Sequence, residues 1–262
     1  MTDESLRLTI LGASPAYPNP GGACSGYLVR QRETSVVLDC GSGVAGRLRQ
    51  WLPLDKINAF VISHLHPDHY FDLVPVFYIL RYLEHPAEPM PLYVPPEGRA
   101  QLRRLGKLSS GQPDMFESRF AIQEYQVGET YAVGDLEVSF YPVQHYVPSH
   151  AIRVCGTDRR MLVFSSDVAP GSWLIDAARN ADLLLCEAAI LERSQDDPDP
   201  SKRGHMTAAE AGEAARNAGA RRLLLTHYRA DREGLREHHQ RAAERAFGRP
   251  VEMAEEGQTY TV

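Results

Sequence analysis

Cysteine is scarce in this sequence of 262 residues: it has four, Cys24, Cys40, Cys155 and Cys186, and none is spaced as C-x-x-C. That excludes a disulfide-dense scaffold and leaves small buried thiols as the expectation. Long apolar runs are missing as well, and none approaches the roughly 18 residues of a membrane span. Met1–Leu11 carries Asp3 and Glu4 and lacks the basic flank of a signal peptide, so a cytoplasmic product without membrane partners is expected. Positive charge is short: 28 Lys and Arg face 34 Asp and Glu, a net charge of −6, and Lys56, Lys107 and Lys202 are the lysines among them. Such a balance disfavours a general nucleic-acid coat but allows a local basic pocket. Apolar residues at 43% and charged residues at 24% exclude global disorder.

Short apolar runs alternate with turn signals, and strand-like and helix-like periods are interleaved. Leu6–Leu11, Gly26–Val29, Ser35–Leu38 and Ile57–Ile62 read as strands, with Val44–Trp51 a short helix. Phe71–Leu83 reads as a helix apolar on more than one face, Pro75 falling in its first turn and Pro86, Pro89 and Pro91 closing it. A helix over Glu97–Leu105 precedes a β-rich middle of Phe120–Glu124, Thr130–Val133, Leu136–Val143, Ala151–Val154 and Met161–Phe164. Then come a helix over Ser172–Arg179, a strand Leu183–Cys186, a polar and mobile loop over Ser194–Gly204, and an alanine-rich helix Thr207–Asn217 stopped by Gly219. Strand Arg222–Thr226, a charged helix Leu235–Phe247 and strand Gln258–Val262 complete the chain. With no repeat and no linker, residues 1–262 read as one domain, two sheets packed together with helices outside.

One motif dominates: Ser63-His64-Leu65-His66-Pro67-Asp68-His69, directly after the buried strand Ile57–Ile62. Residues two apart in an extended segment project to the same side, so His64 and His66 can converge on one cation. Asp68 and His69 fall where the chain turns into the next helix and can serve a second. Imidazole with carboxylate suits zinc, with manganese or iron as alternatives. Further candidates follow apolar strands: His145 after Leu136–Val143, Asp167 after Met161–Phe164 and His227 after Arg222–Thr226. His150 competes with His145 for the same place. His238 and His239, among Arg236, Glu237 and Arg241, read as a solvated helix face, and Gly21-Gly22-Ala23 as a turn.

H-x-H-x-D-H followed by His145, Asp167, His205 and His227 resembles the metallo-β-lactamase fold, and within it the ribonuclease Z-like branch of phosphodiesterases. Gly204-His205-Met206-Thr207-Ala208-Ala209-Glu210-Ala211 resembles that branch's histidine-threonine motif, and length and layout are similar to bacterial stand-alone members related to cyclic-nucleotide phosphodiesterases. The resemblance implies a single-domain, four-layer αββα sandwich of the α/β (α+β) class with its site at one sheet edge. It implies two divalent cations, His64, His66 and His145 on one, Asp68, His69 and His227 on the other, and Asp167 bridging. Ser165-Ser166-Asp167-Val168 departs from the commoner Tyr-Ser-Gly-Asp-Thr, losing a glycine that bears on loop shape.

The implied chemistry is hydrolysis of a small phosphodiester, such as a cyclic nucleotide or short oligonucleotide, by water whose pKa the two cations lower. Asp68 would orient or deprotonate that water, His205 would protonate the leaving alkoxide, and Glu187 would fix the His205 tautomer. The alternative is a ribonuclease Z-type transfer-RNA 3′-processing endonuclease. Those enzymes usually carry a long RNA-gripping arm between the ligands matching His145 and Asp167, whereas 22 positions separate the two here. RNA is therefore the less favoured partner. A thioester or lactone hydrolase of the same fold would not need the His205 motif. The apolar Phe71–Leu83 helix is expected first of all to be buried in the core, and a second cover for its remaining apolar face points to a homodimer.

Overall fold

The computed structural model describes residues 4–84 and 86–262, so Asp3 of the acidic N-terminal stretch lies outside the described residues. The first sheet takes β1 (Arg7–Gly12), β2 (Gly26–Gln31), β3 (Thr34–Leu38), β4 (Ala59–Val61), β5 (Met90–Val94) and β6 (Phe120–Glu124) in chain order. The second takes β7 (Thr130–Val133), β8 (Leu136–Val143), β9 (Ser149–Cys155), β10 (Met161–Phe164), β11 (Leu183–Glu187), β12 (Arg222–Thr226) and β13 (Glu252–Met253). β14 (Thr259–Thr261) returns to pair with β1. In each sheet an antiparallel meander passes into parallel strands, β3 to β6 in the first and β10 to β13 in the second.

The strands are apolar at consecutive positions because both faces of each sheet are covered. Val36 and Leu38 of β3 face the second sheet, where Phe140, Ile152, Leu162, Leu185 and Leu224 meet them. Val37, between them, faces outward with Leu28, Phe60 and Leu92. Helices α1 (Val44–Leu48), α2 (Pro67–Tyr70), α3 (Leu73–Ile79) and α4 (Gly98–Ser110) accompany the first sheet, Leu48, Leu73, Val76, Phe77 and Leu102 filling that layer. On the far face, α5 (Ser172–Ala177), α6 (Ala208–Ala218) and α7 (Leu235–Phe247) cover Val163, Leu184, Cys186, Leu223 and Leu225. The expected αββα sandwich is the observed fold.

Several elements differ from expectation, for local reasons. The helix expected over Phe71–Leu83 starts at Leu73 and becomes a π-helix over Leu80–Glu84. Its start is delayed because the Asp72 N–H donates to Cys40 O at 2.9 Å, while the Asp72 carboxylate accepts from the Gly43 and Ala45 N–H groups, both at 2.9 Å. Asp72 therefore caps α1 from a distant part of the chain, a role that its own neighbours do not reveal. His239 is buried and packs its ring against Tyr228 at 5.7 Å, which corrects the solvated face expected for His238 and His239; His238 alone is exposed. The Cys24, Cys40 and Cys186 thiols are buried and Cys155 is half-buried, all four free.

The alanine-rich helix begins and stops at its signals. Thr207 Oγ1 accepts from the Glu210 N–H, and the Glu210 carboxylate accepts from the Thr207 N–H, a reciprocal cap. Gly219 ends it with φ of 69°. Thr207→Ala removes one half of the cap and should cost about 1 kcal/mol of stability. A urea titration that left the midpoint unchanged would contradict this reading.

Candidate metal centre

The site assembles at the C-terminal ends of strands drawn from both sheets. His64 follows β4 by way of Ile62 and Ser63, and His66 (φ −80°, ψ 146°) is still extended when it opens α2. Pro67 occupies the first helical position, where its missing N–H costs nothing. Asp68 and His69 then turn inward on that first turn. His145 stands two residues beyond β8, Asp167 three beyond β10 and His227 one beyond β12, so packing one sheet on the other brings them to a single rim.

The seven side chains form two groups that share Asp167. His64, His66, His145 and Asp167 make one; Asp68, His69, His227 and Asp167 make the other. Asp167 divides its oxygens between them. Its Oδ2 lies 3.8 Å from both His64 Nε2 and His145 Nε2, while its Oδ1 lies 3.4 Å from His69 Nε2 and 3.5 Å from His227 Nε2. Asp68 Oδ2 stands 3.3 Å from His69 Nε2 and 3.2 Å from His227 Nε2. His66 Nδ1 and His145 Nε2 approach to 3.0 Å. His150 is not among them: its ring sits under Tyr125, whose hydroxyl it meets at 3.2 Å.

The surroundings fix which ring atoms face inward. His69 Nδ1–H donates to Asp39 Oδ2 at 2.7 Å, and His145 Nδ1–H donates to Gly204 O at 2.6 Å. His64 Nδ1 lies 3.2 Å from the Ser63 and Ser166 hydroxyls. In each ring Nε2 is the atom left facing the shared space. His64 Nε2, His69 Nε2 and Asp167 Oδ1 are buried and make no hydrogen bond. Buried nitrogen and oxygen lone pairs aimed at one another are costly unless something positive lies between them, so the residues present fit divalent cations.

Charge follows the same logic. Burial pushes the Asp167 carboxyl up, but the facing imidazoles of His227, His69 and His64 hold it well below the usual range. Burial keeps His64, His66 and His145 below the ordinary imidazole value, hence neutral and able to ligate. At His69 burial is outweighed by Asp167, Asp39 and Asp68, which favour a proton where a cation would otherwise sit.

Three of the seven non-glycine residues with positive φ among the described residues lie here. Asp39 (φ 57°), Ser166 (φ 56°) and His227 (φ 52°) all adopt left-handed conformations just past strand ends. Ser166 stands where the commoner sequence pattern has glycine; it keeps the loop shape at some steric cost and adds a hydroxyl that reaches His64 and, at 2.9 Å, Ser149. Gly41 is needed for a different reason, since a Cβ there would overlap the Asp68 carbonyl oxygen.

His205 lies beside the two groups, its ring 4.9 Å from that of His145 and 5.9 Å from that of His227. Its Nδ1–H donates to Glu187 Oε1 at 2.9 Å. Glu187 is itself fully buried and held by the Val168 and Ala189 N–H groups at 2.8 and 3.0 Å. Neither Asp39 nor the hydroxyl of Ser63 is marked by the sequence as a support of these rings. The one available signal for Asp39 was a carboxylate just past an apolar strand, the same signal that marked Asp167.

A pair of histidine-carboxylate groups sharing one aspartate, at the edge of an αββα sandwich, defines a metal-dependent hydrolase. The chain belongs to the beta-lactamase superfamily: residues 34–228 match the Beta-lactamase superfamily domain. It is 34% identical over 230 residues to the uncharacterized protein ML1173 of Mycobacterium leprae, covering 86% of this chain and 78% of that one. The probable metallo-hydrolase YhfI of Bacillus subtilis is 28% identical, with 96% of this chain and 98% of that protein covered. The crystal structure of YhfI superposes with a TM-score of 0.84 at 26% identity, over 99% of this chain and all (100%) of that one. Ribonuclease Z of Natronomonas pharaonis is 26% identical, with 98% of each chain covered.

Asp39 accepts from the Ser63 N–H and hydroxyl, both at 2.7 Å, as well as from His69. Asp39→Asn should therefore leave the fold intact and weaken metal affinity about 10–100-fold. Competition for zinc against a chromogenic chelator measures it; unchanged affinity would remove Asp39 from the site.

Proposed function

We propose that the protein is a phosphodiesterase that holds two divalent cations, zinc first with manganese or iron as alternatives, and hydrolyses a small phosphodiester such as a cyclic nucleotide or short oligonucleotide. The observation that carries this reading is the division of the two Asp167 oxygens between two donor groups, with the His205–Glu187 pair alongside. His64, His66 and His145 would hold one cation, Asp68, His69 and His227 the other, and Asp167 both. Cations bound there would supply Lewis acidity and bring the pKa of a water toward neutrality.

The chain's own groups supply the rest. Asp68 directs Oδ2 at His69 and His227, which frees its other oxygen to orient an attacking water and accept its proton. His205, tied through Nδ1 to Glu187, keeps Nε2–H to donate to the departing alkoxide. Burial alone would lower the His205 imidazole, but the Glu187 carboxylate, with Asp167 and Asp196 farther off, raises it to about 9. The ring then stays protonated at neutral pH, as a proton donor requires.

RNA processing is the second reading, favoured by the ribonuclease Z similarity over nearly the whole chain. Against it, Asp167 follows His145 by 22 positions, a stretch filled by β9, β10 and short connections, and the net charge is −6. Thioester or lactone hydrolysis would leave His205 and Glu187 without a role. Four free thiols among the described residues support the cytoplasm as the compartment, and no helix of the described residues is long and apolar enough to cross a membrane. Phe71, just before α3, and Tyr78, Tyr82 and Leu83, along α3 and its π-helical extension, are exposed and support a homodimer.

After loading with zinc or manganese, the protein should hydrolyse bis(4-nitrophenyl) phosphate and leave thioesters, lactones and precursor transfer RNA intact. Activity on the thioester alone would overturn the reading. Asp68→Ala should abolish nearly all turnover while retaining some metal. His205→Ala should cost about 100-fold or more on poor leaving groups and little on nitrophenolate. The same donor fixes the pH dependence: with poor leaving groups the rate should hold through neutrality and fall as pH rises past about 9. Glu187→Gln removes a negative charge that favours the protonated ring, so the fall should move to lower pH. Sedimentation at low micromolar concentration should give twice the chain mass, and a monomer would refute the dimer.

A further inference from the structure

The segment between β11 and α6, whose stretch Ser194–Gly204 is expected to be a mobile polar loop, is built on two short 3₁₀ turns, Arg193–Gln195 and Pro200–Lys202. Between them Asp196, its side chain fully covered, turns its carboxylate to the Gly204–His205 backbone, with the Arg203 guanidinium 3.7 Å away. Its Oδ2 accepts from the Gly204 and His205 N–H groups, each at 3.0 Å. Its Oδ1 accepts from the Tyr146 hydroxyl at 2.6 Å and from the Asp197 N–H at 2.7 Å. Tyr146 follows His145 directly, and its ring lies against Gly204 so closely that a Cβ there would overlap it. From the other side, Gly204 O accepts from His145 Nδ1–H.

The backbone on which His205 sits is thus held at its amides by Asp196 from the loop, at its preceding carbonyl by His145, and at its own carbonyl by the Arg203 guanidinium, which donates at 3.2 Å. The ring is held separately, by Glu187. A proton donor displaced by about 1 Å loses much of its effect, so a carboxylate that fixes the backbone of that donor matters to the reaction without touching the substrate.

We propose that Asp196 is a positioning residue: by binding the Gly204 and His205 amides it sets where His205 presents its proton, and by binding Tyr146 it makes docking of the loop a condition for that placement. The proposal rests on the reading of His205 as proton donor.

The test compares zinc-loaded wild type, Asp196→Ala, Asp196→Asn and His205→Ala on diphenyl phosphate and on bis(4-nitrophenyl) phosphate, which differ in the basicity of the leaving group. Asp196→Ala should lower kcat on diphenyl phosphate at least 30-fold and on the nitrophenyl ester less than fivefold, an order-of-magnitude expectation for impaired general acid catalysis. KM and zinc content should be unchanged, and Asp196→Asn, which keeps one acceptor oxygen, should fall between. Adding Asp196→Ala to His205→Ala should cause no further loss, because the two act as one unit. Equal losses on both esters, or additive losses in the double variant, would overturn the proposal. Amide hydrogen exchange gives a readout independent of turnover: protection at Gly204 and His205 should fall about tenfold or more in Asp196→Ala, with the strands unaffected. Unchanged protection at those two amides would also overturn it. Should the wild type hydrolyse neither ester, the phosphodiesterase reading fails by itself, and the exchange result still decides whether Asp196 holds this backbone.

Discussion

Imidazole nitrogens and carboxylate oxygens have been taken out of water at one edge of this sandwich and turned toward each other with nothing from the protein between them. An unpaired buried polar atom costs on the order of 1–3 kcal/mol, and several of them in one place demand a compensating charge. His64 Nε2, His69 Nε2 and Asp167 Oδ1 carry that demand. Much of the surrounding structure exists to keep it in place. Asp39, Ser63, Ser166 and the Gly204 carbonyl occupy the outward nitrogens so that the inward ones have no other use. Three residues at the strand ends accept left-handed backbone conformations to do so.

The sandwich contributes position rather than chemistry. Consecutive apolar residues make strands that must be covered on both faces, and covering both brings the ends of β4, β8, β10 and β12 to one rim. Because both sheets end their site-bearing strands on the same side, donors far apart along the chain meet without any single loop having to reach. The loop between β11 and α6 then crosses beside the rim, tied to it through Asp196 and Tyr146.

Some of this was legible residue by residue. His64 and His66 share a side because an extended segment alternates, and Thr207, Glu210 and Gly219 mark the limits of α6 because caps are local chemistry. His145 is preferred over His150 by the sequence, and what bars His150 is tertiary: Tyr125, just past β6, meets its ring from a distant part of the chain. His239 read as solvated because its neighbours are charged, yet it is the residue of α7 that faces Tyr228. Asp72 looked like part of a helix and is instead the cap of another.

The sequence by itself determined which imidazole and carboxylate residues stand at the strand ends, the periodicity that makes each strand and helix, and the local turn that carries His66, Asp68 and His69. These depend on interactions within a few residues. Which nitrogen faces inward, which carboxylates stand behind, and how the loop bearing Asp196 is fastened depend on groups brought together from the far ends of the chain. Those were decided by the packing of one sheet against the other, because burial, and with it the strength of every charge in the site, exists only once both layers are in place.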